Sequence, residues 1–296
     1  MKAAVVIRDS EDFERLLSEL ADASFIAVDT ESNGFYAYYE RVCLIQISVG
    51  DQDFIVDPLA VKSLEGMAEI LGNPAIEKVL HAASNDVAGL KRDFKLEISN
   101  LFDTAIAAKL LGYSQLGLAN ILDRHFSVSL NKKWQRFDWG RRPLRPEQID
   151  YARLDTHYLI ELRHRLAAEL VEQGLWEAAL EAFEKACQQE IPTKDFRAEG
   201  FIHIQGARSL DPVGKRILKA LYLFREHEAR RRNRAPFRVL SNDTMVRLAL
   251  HRPTNLSDFV KIKGIPRPLQ NARAAGSLLA LIRRFADQAD EARSSQ

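Results

Sequence analysis

The chain has 296 residues, 46% hydrophobic and 28% charged, which is room for one α/β domain plus a smaller module and excludes wholesale disorder. Its longest apolar runs, such as 25–28 and 278–282, are too short to span a bilayer, and Arg8, Asp9 and Glu11 interrupt any apolar leader, so the expected location is cytoplasmic with no membrane partner. The net charge of +1 hides a segregation: residues 201–296 carry 19 Lys or Arg against 8 Asp or Glu, while residues 1–200 carry 23 against 33. Such a division joins an acidic, metal-attracting part to a basic nucleic-acid grip; the plainer reading is uneven surface charge.

In chain order, a strand is predicted near 3–7, then a helix through Phe13, Leu16, Leu17 and Leu20, then the apolar run 25–29, which ends in polar residues. Strands at 42–49 and 54–56 follow, with short polar connections at Asn33-Gly34 and Gly50-Asp51 that suit antiparallel neighbours. The spacing then predicts a helix over 62–71, a buried strand over 78–81 and a helix over 85–92, a pattern that favours a mixed sheet covered by helices. From Asp103 the pattern is almost wholly helical, apart from 126–130 and the Gly- and Pro-bearing loop 138–143, and one long helix runs from Pro146 through Leu166. Beyond 188–193 come short helices at 212–230, 243–250, 255–260 and 272–285, punctuated by Pro236, Pro253 and Pro266. Cys43 and Cys187 read as free thiols rather than a disulfide or a metal pair.

Asp29 and Glu31 stand two apart in an extended segment, so both carboxylates point to one face; a strand-end turn is the plainer alternative. Asp86 opens a helix, as a cap or facing the sheet edge, and Tyr151 and Asp155 share a helix face four residues apart, where a surface pair is the alternative. Clustered carboxylates repel one another unless cations neutralise them, and hard oxygen donors favour Mg²⁺, with Mn²⁺ as substitute.

Asp29-Thr30-Glu31, the stretch from His81 to Asp86, Asp103-Thr104, Trp139-Gly140-Arg141-Arg142-Pro143-Leu144 and Tyr151-Ala152-Arg153-Leu154-Asp155, in this order, resemble the ribonuclease D family of 3'-to-5' exonucleases. The resemblance implies a ribonuclease-H-like mixed sheet flanked by helices over residues 1–190. It implies a site of Asp29, Glu31, Asp86 and Asp155 holding two divalent ions, Mg²⁺ or Mn²⁺, with Tyr151 positioning the attacking water. In that scheme Asp29 bridges the ions, Glu31 and Asp155 complete the ion that activates water, and Asp86 serves the leaving group. The family's second motif carries Asn after the histidine, where this chain has Ala82. His81 is read as structural, and Asp103 as a helix cap that supports the site from behind.

Residues 206–290 resemble the helical nucleic-acid-binding module of ribonuclease D enzymes and some helicases, through Leu221-Tyr222-Leu223-Phe224-Arg225, Pro236-Phe237-Arg238-Val239-Leu240 and Gly264-Ile265-Pro266. The expected architecture is thus an α/β domain, a linker over 191–205, a small all-α bundle and a frayed tail over 291–296. Fuller bacterial members carry two such modules, and this length accommodates one. Candidate phosphate contacts are Arg225, Arg230, Arg231, Arg232, Lys261 and Lys263 in the module and Lys132, Lys133, Arg136, Arg141 and Arg142 in the first domain; solvated helix faces are the competing reading. Phe35 and Tyr36, with Tyr38 and Tyr39 behind them, are candidates for base stacking, against core packing. The expected partner is RNA with a free 3' end, transfer RNA precursors above all. Single-stranded DNA digestion and nonenzymatic RNA binding are the alternatives, and nothing in the sequence indicates an oligomeric state.

Overall fold

A computed structural model describes residues 2–131, 133–188 and 195–294, with side chains to residue 286. The chain divides into two compact units, Met1–Asn33 with Arg41–Pro192, and Gly34–Glu40 with Thr193–Gln296.

The first unit is built on a six-stranded mixed sheet of order β1-β4-β3-β2-β5-β6, formed by β1 (Val5–Ile7), β2 (Phe25–Ser32), β3 (Val42–Val49), β4 (Gln52–Val56), β5 (Glu77–Leu80) and β6 (Leu101–Asp103). β2, β3 and β4 pair antiparallel, as their short connections predict, and β1, β5 and β6 join in parallel. A central strand covered on both faces needs apolar side chains throughout, and β3 is buried from Val42 to Ser48. One face, with Ile26, Val28, Ile45 and Ile47, packs with buried residues of α1 (Ser10–Ala21), α2 (Met67–Leu71) and α3 (Ser84–Phe94). On the other, Ala27, Val79 and Phe102 pack with residues of α4 (Thr104–Leu110), α5 (Leu118–Phe126), α7 (Leu159–Glu172) and α8 (Trp176–Cys187), while Leu44 and Ile55 meet Ala152 of α6 (Pro146–His157).

The second unit is a helical bundle of α9 (Pro212–Arg231), α10 (Pro236–Val239), α11 (Asn242–His251), α12 (Leu256–Lys261) and α13 (Ala272–Ser294). Leu218, Leu221, Leu248, Phe259 and Leu278 share its core. Asp211, Ser241 and Asn255 each accept a backbone N–H in the first turn of α9, α11 and α12, which fixes where those helices start.

Four expectations shift. The helix over 62–71 is reduced to Met67–Leu71, because the Ser63 hydroxyl takes the Glu65 N–H in a local turn. β6 is a three-residue edge strand inside a stretch read as the approach to a helix. The helix from Pro146 breaks at Tyr158, with neither Gly nor Pro to announce it. Finally, Phe201 and Ile204 lie in the bundle core, so the segment 191–205 is not wholly linker, and α13 continues to Ser294, past the 290 boundary. Both cysteines are free thiols. Among the described residues, no helix is long and apolar enough to cross a membrane.

Candidate active site

Alternation along β2 turns Asp29 and Glu31 to the same side as Ala27, the face that packs with α7. β2 loses its regular register just beyond, between Glu31 and Ser32, so both carboxylates sit where the strand stops pairing evenly. Thr30, between them, serves the opposite direction: its N–H and hydroxyl both donate to Asp86 Oδ1, at 3.0 and 2.5 Å. Asp86 lies in the first turn of α3 and is buried, and Thr30 thereby ties it to the strand that carries the other two acids. Tyr151 and Asp155 complete the set one helical turn apart on α6.

Electrostatics bind these groups together more tightly than sequence spacing does. Burial, then Asp86, Asp155 and Glu31 push the Asp29 carboxyl well above its ordinary range. Glu31 is raised well above its own by burial, then Asp155 and Asp86. Burial and Asp86 lift Asp155 to about 7, and burial lifts Asp86 to about 6 against the pull of the two Thr30 hydrogen bonds. Burial also raises the Tyr151 phenol, followed by Asp155, Glu31 and Asp29, so its proton stays on at neutral pH and the hydroxyl can donate.

Among the described residues, no three acidic, histidine or cysteine groups close into a finished coordination shell. The mutual pKa shifts nonetheless place four carboxylates from three elements within one another's field, which is the arrangement of like charges that a cation draws together. Gln46, across from Asp29 in the β2–β3 ladder, donates its Nε2 to Asp29 Oδ2 at 3.3 Å, while its buried Oε1 has no hydrogen-bond partner among the described residues. A hard-oxygen donor set beside an orphan acceptor fits a hydrated divalent ion.

Behind the catalytic candidates lies a shell in which the sequence motifs marked Trp139 and Arg153 but not the residues they contact. The Trp139 ring, fully buried, stacks on Tyr151 with centroids 6.1 Å apart. Asp53 of β4 is the centre of a buried knot on the far side of α6. Its Oδ1 lies 2.8 Å from the Ser48 hydroxyl, both its oxygens lie 3.0 Å from His157 Nδ1, and Arg153 Nε is 3.6 Å from Oδ2. Ser48 Oγ is in turn 2.7 Å from Thr156 Oγ1. For the rest of this shell the sequence signal was polar residues in apolar strands, Gln46, Ser48 and Asp53, whose partners lie on distant segments.

Asp103 caps α4 through the Ala105 and Ile106 N–H groups and also accepts those of Ala82 and Ala83, so it pins the turn leading to Asp86. Ala82 has φ +56 in that turn, the left-handed region that Asn tolerates better than Ala. His81 Nδ1 lies 2.9 Å from the Thr104 hydroxyl, and its burial lowers its pKa, in keeping with a structural place.

A cavity of about 520 Å³ opens beside Tyr151 and Asp155, with Asn120, Lys133, Trp134 and Gln135 among its lining. Lys133 therefore faces the site, and Arg136 is exposed nearby in the chain; Lys132 lies outside the described residues. Arg142 is redirected from its expected phosphate role: it grips both Asp57 oxygens at 2.6 and 2.7 Å and donates to the Cys43 and Trp139 carbonyls, locking the loop that holds Trp139. Arg225 is likewise internal, buried and bonded to the Leu240 carbonyl and Asn242. Arg141 pairs with Asp138, Arg230 with Glu226, Arg231 and Arg232 with Glu228, and Lys261 with Asp258, all at exposed or rim positions, while Lys263 lines a basic hollow with Arg247 and His251. Of the stacking candidates, Phe35 is 51% exposed, whereas the Tyr36 ring is covered by Arg238 at 3.7 Å.

Residues 4–171 match the family model for 3'-5' exonucleases, and residues 214–282 match that of the HRDC domain. The chain is 34% identical over 268 residues to ribonuclease D of Zymomonas mobilis, covering 90% of this chain and 68% of that protein. It is 30% identical over 287 residues to the exosome complex exonuclease RRP6 of Saccharomyces cerevisiae, covering 91% of this chain but only 39% of the yeast protein. The chain thus spans well under half the length of its exosome relatives. The crystal structure of the catalytic core of RRP6 from Trypanosoma brucei superposes with a TM-score of 0.86 at 29% identity, over 97% of this chain and 81% of that one. With its acidic site on a ribonuclease-H-like sheet and a helical module later in the chain, this chain belongs to the family of 3'-5' exonucleases, in the ribonuclease D group that carries an HRDC domain.

Proposed function

We propose that this chain hydrolyses RNA from its 3' end, releasing 5'-mononucleotides, with the 3' tails of transfer RNA precursors and other stable RNAs as substrates. The observation that carries the reading is the convergence of four carboxylates from β2, α3 and α6, of which Asp29, Glu31 and Asp155 are raised by burial and then by acidic neighbours within the set, and Asp86 by burial. Full ionisation of such a set near neutral pH is favoured by cations between the charges, and Asp29, Glu31, Asp86 and Asp155 would hold two divalent ions, Mg²⁺ or Mn²⁺. Bound there, the pair supplies an activated water and neutralises the departing 3' oxygen.

The chain's own residues do the rest. Tyr151, protonated, donates a hydrogen bond to water or to a phosphate oxygen, and Trp139 holds its ring in place. Thr30 keeps Asp86 turned toward the strand. The cavity beside Asp155 offers a nucleoside apolar wall from Leu118, Leu130 and Leu154 and polar groups from Asn120, Gln135 and Lys133. The RNA preference is supported by the name of one relative, the ribonuclease D of Zymomonas mobilis at 34% identity; a single-stranded DNA exonuclease is the second reading, since the phosphate chemistry is shared.

The test is digestion of a 3'-tailed transfer RNA precursor and a matched single-stranded DNA, with Mg²⁺ or with EDTA, beside Asp155→Asn. Stepwise RNA shortening that disappears with EDTA and falls at least about 100-fold in the variant is expected. Preferential shortening of DNA would transfer the substrate assignment, and no metal-dependent shortening of either by folded protein would end the enzymatic reading.

A further inference from the structure

The segment 34–40 begins three residues after Glu31 in the chain, yet it belongs to the helical unit. Its backbone is held there by three hydrogen bonds. Ala235 N–H donates to the Tyr36 carbonyl at 2.9 Å, Tyr39 N–H donates to Asn233 Oδ1 at 2.9 Å, and Arg238 Nε donates to the Phe35 carbonyl at 2.5 Å. Tyr38 bonds Glu226 and accepts from Arg230 Nε, so this side chain is tied down as well. The Arg238 guanidinium lies over Tyr36, 3.7 Å from the ring centre.

So firm a scaffold would ordinarily bury its large apolar side chains. Instead Phe35 and Phe237 meet edge to face, centroids 6.4 Å apart, and are left 51% and 50% exposed. Tyr39, in the same segment, is 62% exposed. Around Phe237 in sequence stand Arg231, Arg232 and Arg234, all exposed. Half-open aromatic rings held rigid among arginines are poor packing and good recognition: flat faces stack on unpaired bases, and the cations favour the phosphates between them.

We propose that Phe35 and Phe237, braced by Arg238, form a stacking platform for the unpaired bases of single-stranded RNA. The proposal rests on the exonuclease reading for its choice of ligand, and it divides the aromatic segment by role. Phe35 contacts bases, whereas Tyr36 and Tyr38 are consumed in holding the segment to the helical unit.

The full-length protein, in Ca²⁺, is titrated into a short 5'-labelled oligoadenylate and into the same backbone lacking bases, and binding is followed by fluorescence anisotropy. Phe237→Ala and Phe35→Ala are expected to weaken oligoadenylate binding by about tenfold each and to leave binding of the base-free backbone unchanged. Phe237→Leu, which keeps apolar bulk without a flat face, loses the same affinity, and Phe237→Trp retains it. Hydrolysis of a nitrophenyl ester of a mononucleotide by the wild-type protein is measured separately and reads the exonuclease chemistry. Oligoadenylate affinity unchanged in Phe237→Leu and Phe35→Ala would overturn the platform. Absence of hydrolysis by the wild-type protein would count against the exonuclease reading alone, leaving the binding result to judge the platform.

Discussion

Asp155 has a pKa of about 7 in the folded chain against an ordinary 3.8, first because it is buried and then because Asp86 is near. A group raised in this way favours the fold while protonated: its contribution is full below the unfolded value and is lost as pH climbs through about 7. Asp86, raised to about 6, acts in the same sense. Metal-free protein should therefore lose stability from mildly acidic to mildly alkaline pH, and Asp155→Asn, neutral throughout, should be spared its share. Melting curves in EDTA are expected to show the variant at least about 2 °C above wild type near pH 8, with the gap clearly narrower near pH 5. Mg²⁺ should abolish the difference by stabilising the wild type; a constant gap at both pH values would refute the account. The acids themselves were legible in the sequence, because a carboxylate pair at strand spacing and a Tyr–Asp pair at helix spacing each project to one face. Their partners were not. Thr30 with Asp86, Gln46 with Asp29 and Trp139 with Tyr151 are contacts between distant segments, on which local periodicity is silent.

At the level of elements, α6 matters most, since it carries two of the five candidate residues and nothing in its own sequence fixes its rotation against the sheet. The knot around Asp53 supplies that constraint, with Thr156 next to Asp155 and Arg153 and His157 flanking it on either side. Asp53→Asn preserves the shape and removes the charge facing Arg153 and His157. Loss of one partner from a buried ionic cluster destabilises by about 3 kcal/mol, and a slackened α6 should lower kcat by about tenfold while leaving KM for RNA unchanged. Denaturant melts and steady-state kinetics on the same preparation decide between roles: a stability loss with kcat intact would reduce the knot to fold support. Elements with strong periodicity, such as β3 and α9, could be read within a residue or two. The three-residue β6 and the break at Tyr158 could not, because the first is shorter than any alternation and the second contains no helix breaker.

Across the whole molecule, the segregated charge predicts salt-sensitive binding, but less of it than composition suggests. If all 19 Lys and Arg of residues 201–296 met phosphates, the slope in log affinity against log salt would be roughly −13 for a single strand. Much of that charge is already engaged: Arg225 is buried, Arg230 is held by Glu226, Arg231 and Arg232 share Glu228, and Arg247, Arg252 and Lys261 each have an acidic partner. Binding of oligoadenylate across a salt series is therefore expected to show a slope no steeper than about two thirds of that value. A slope near the full figure would mean that the internal pairs open on binding.

Modular proteins are commonly cut, exchanged and inherited at their linkers, and the placement of Gly34–Glu40 forbids that here. A single break near residue 192 would strip Tyr38 of Glu226 and Arg230 and the Tyr39 backbone of Asn233, leaving an aromatic segment with no scaffold just after the first acidic motif. Grafting a foreign helical module would require rewriting those seven residues as well. The two units are thus interleaved in the gene as in the fold, and a change of module has to begin inside the exonuclease's own coding sequence.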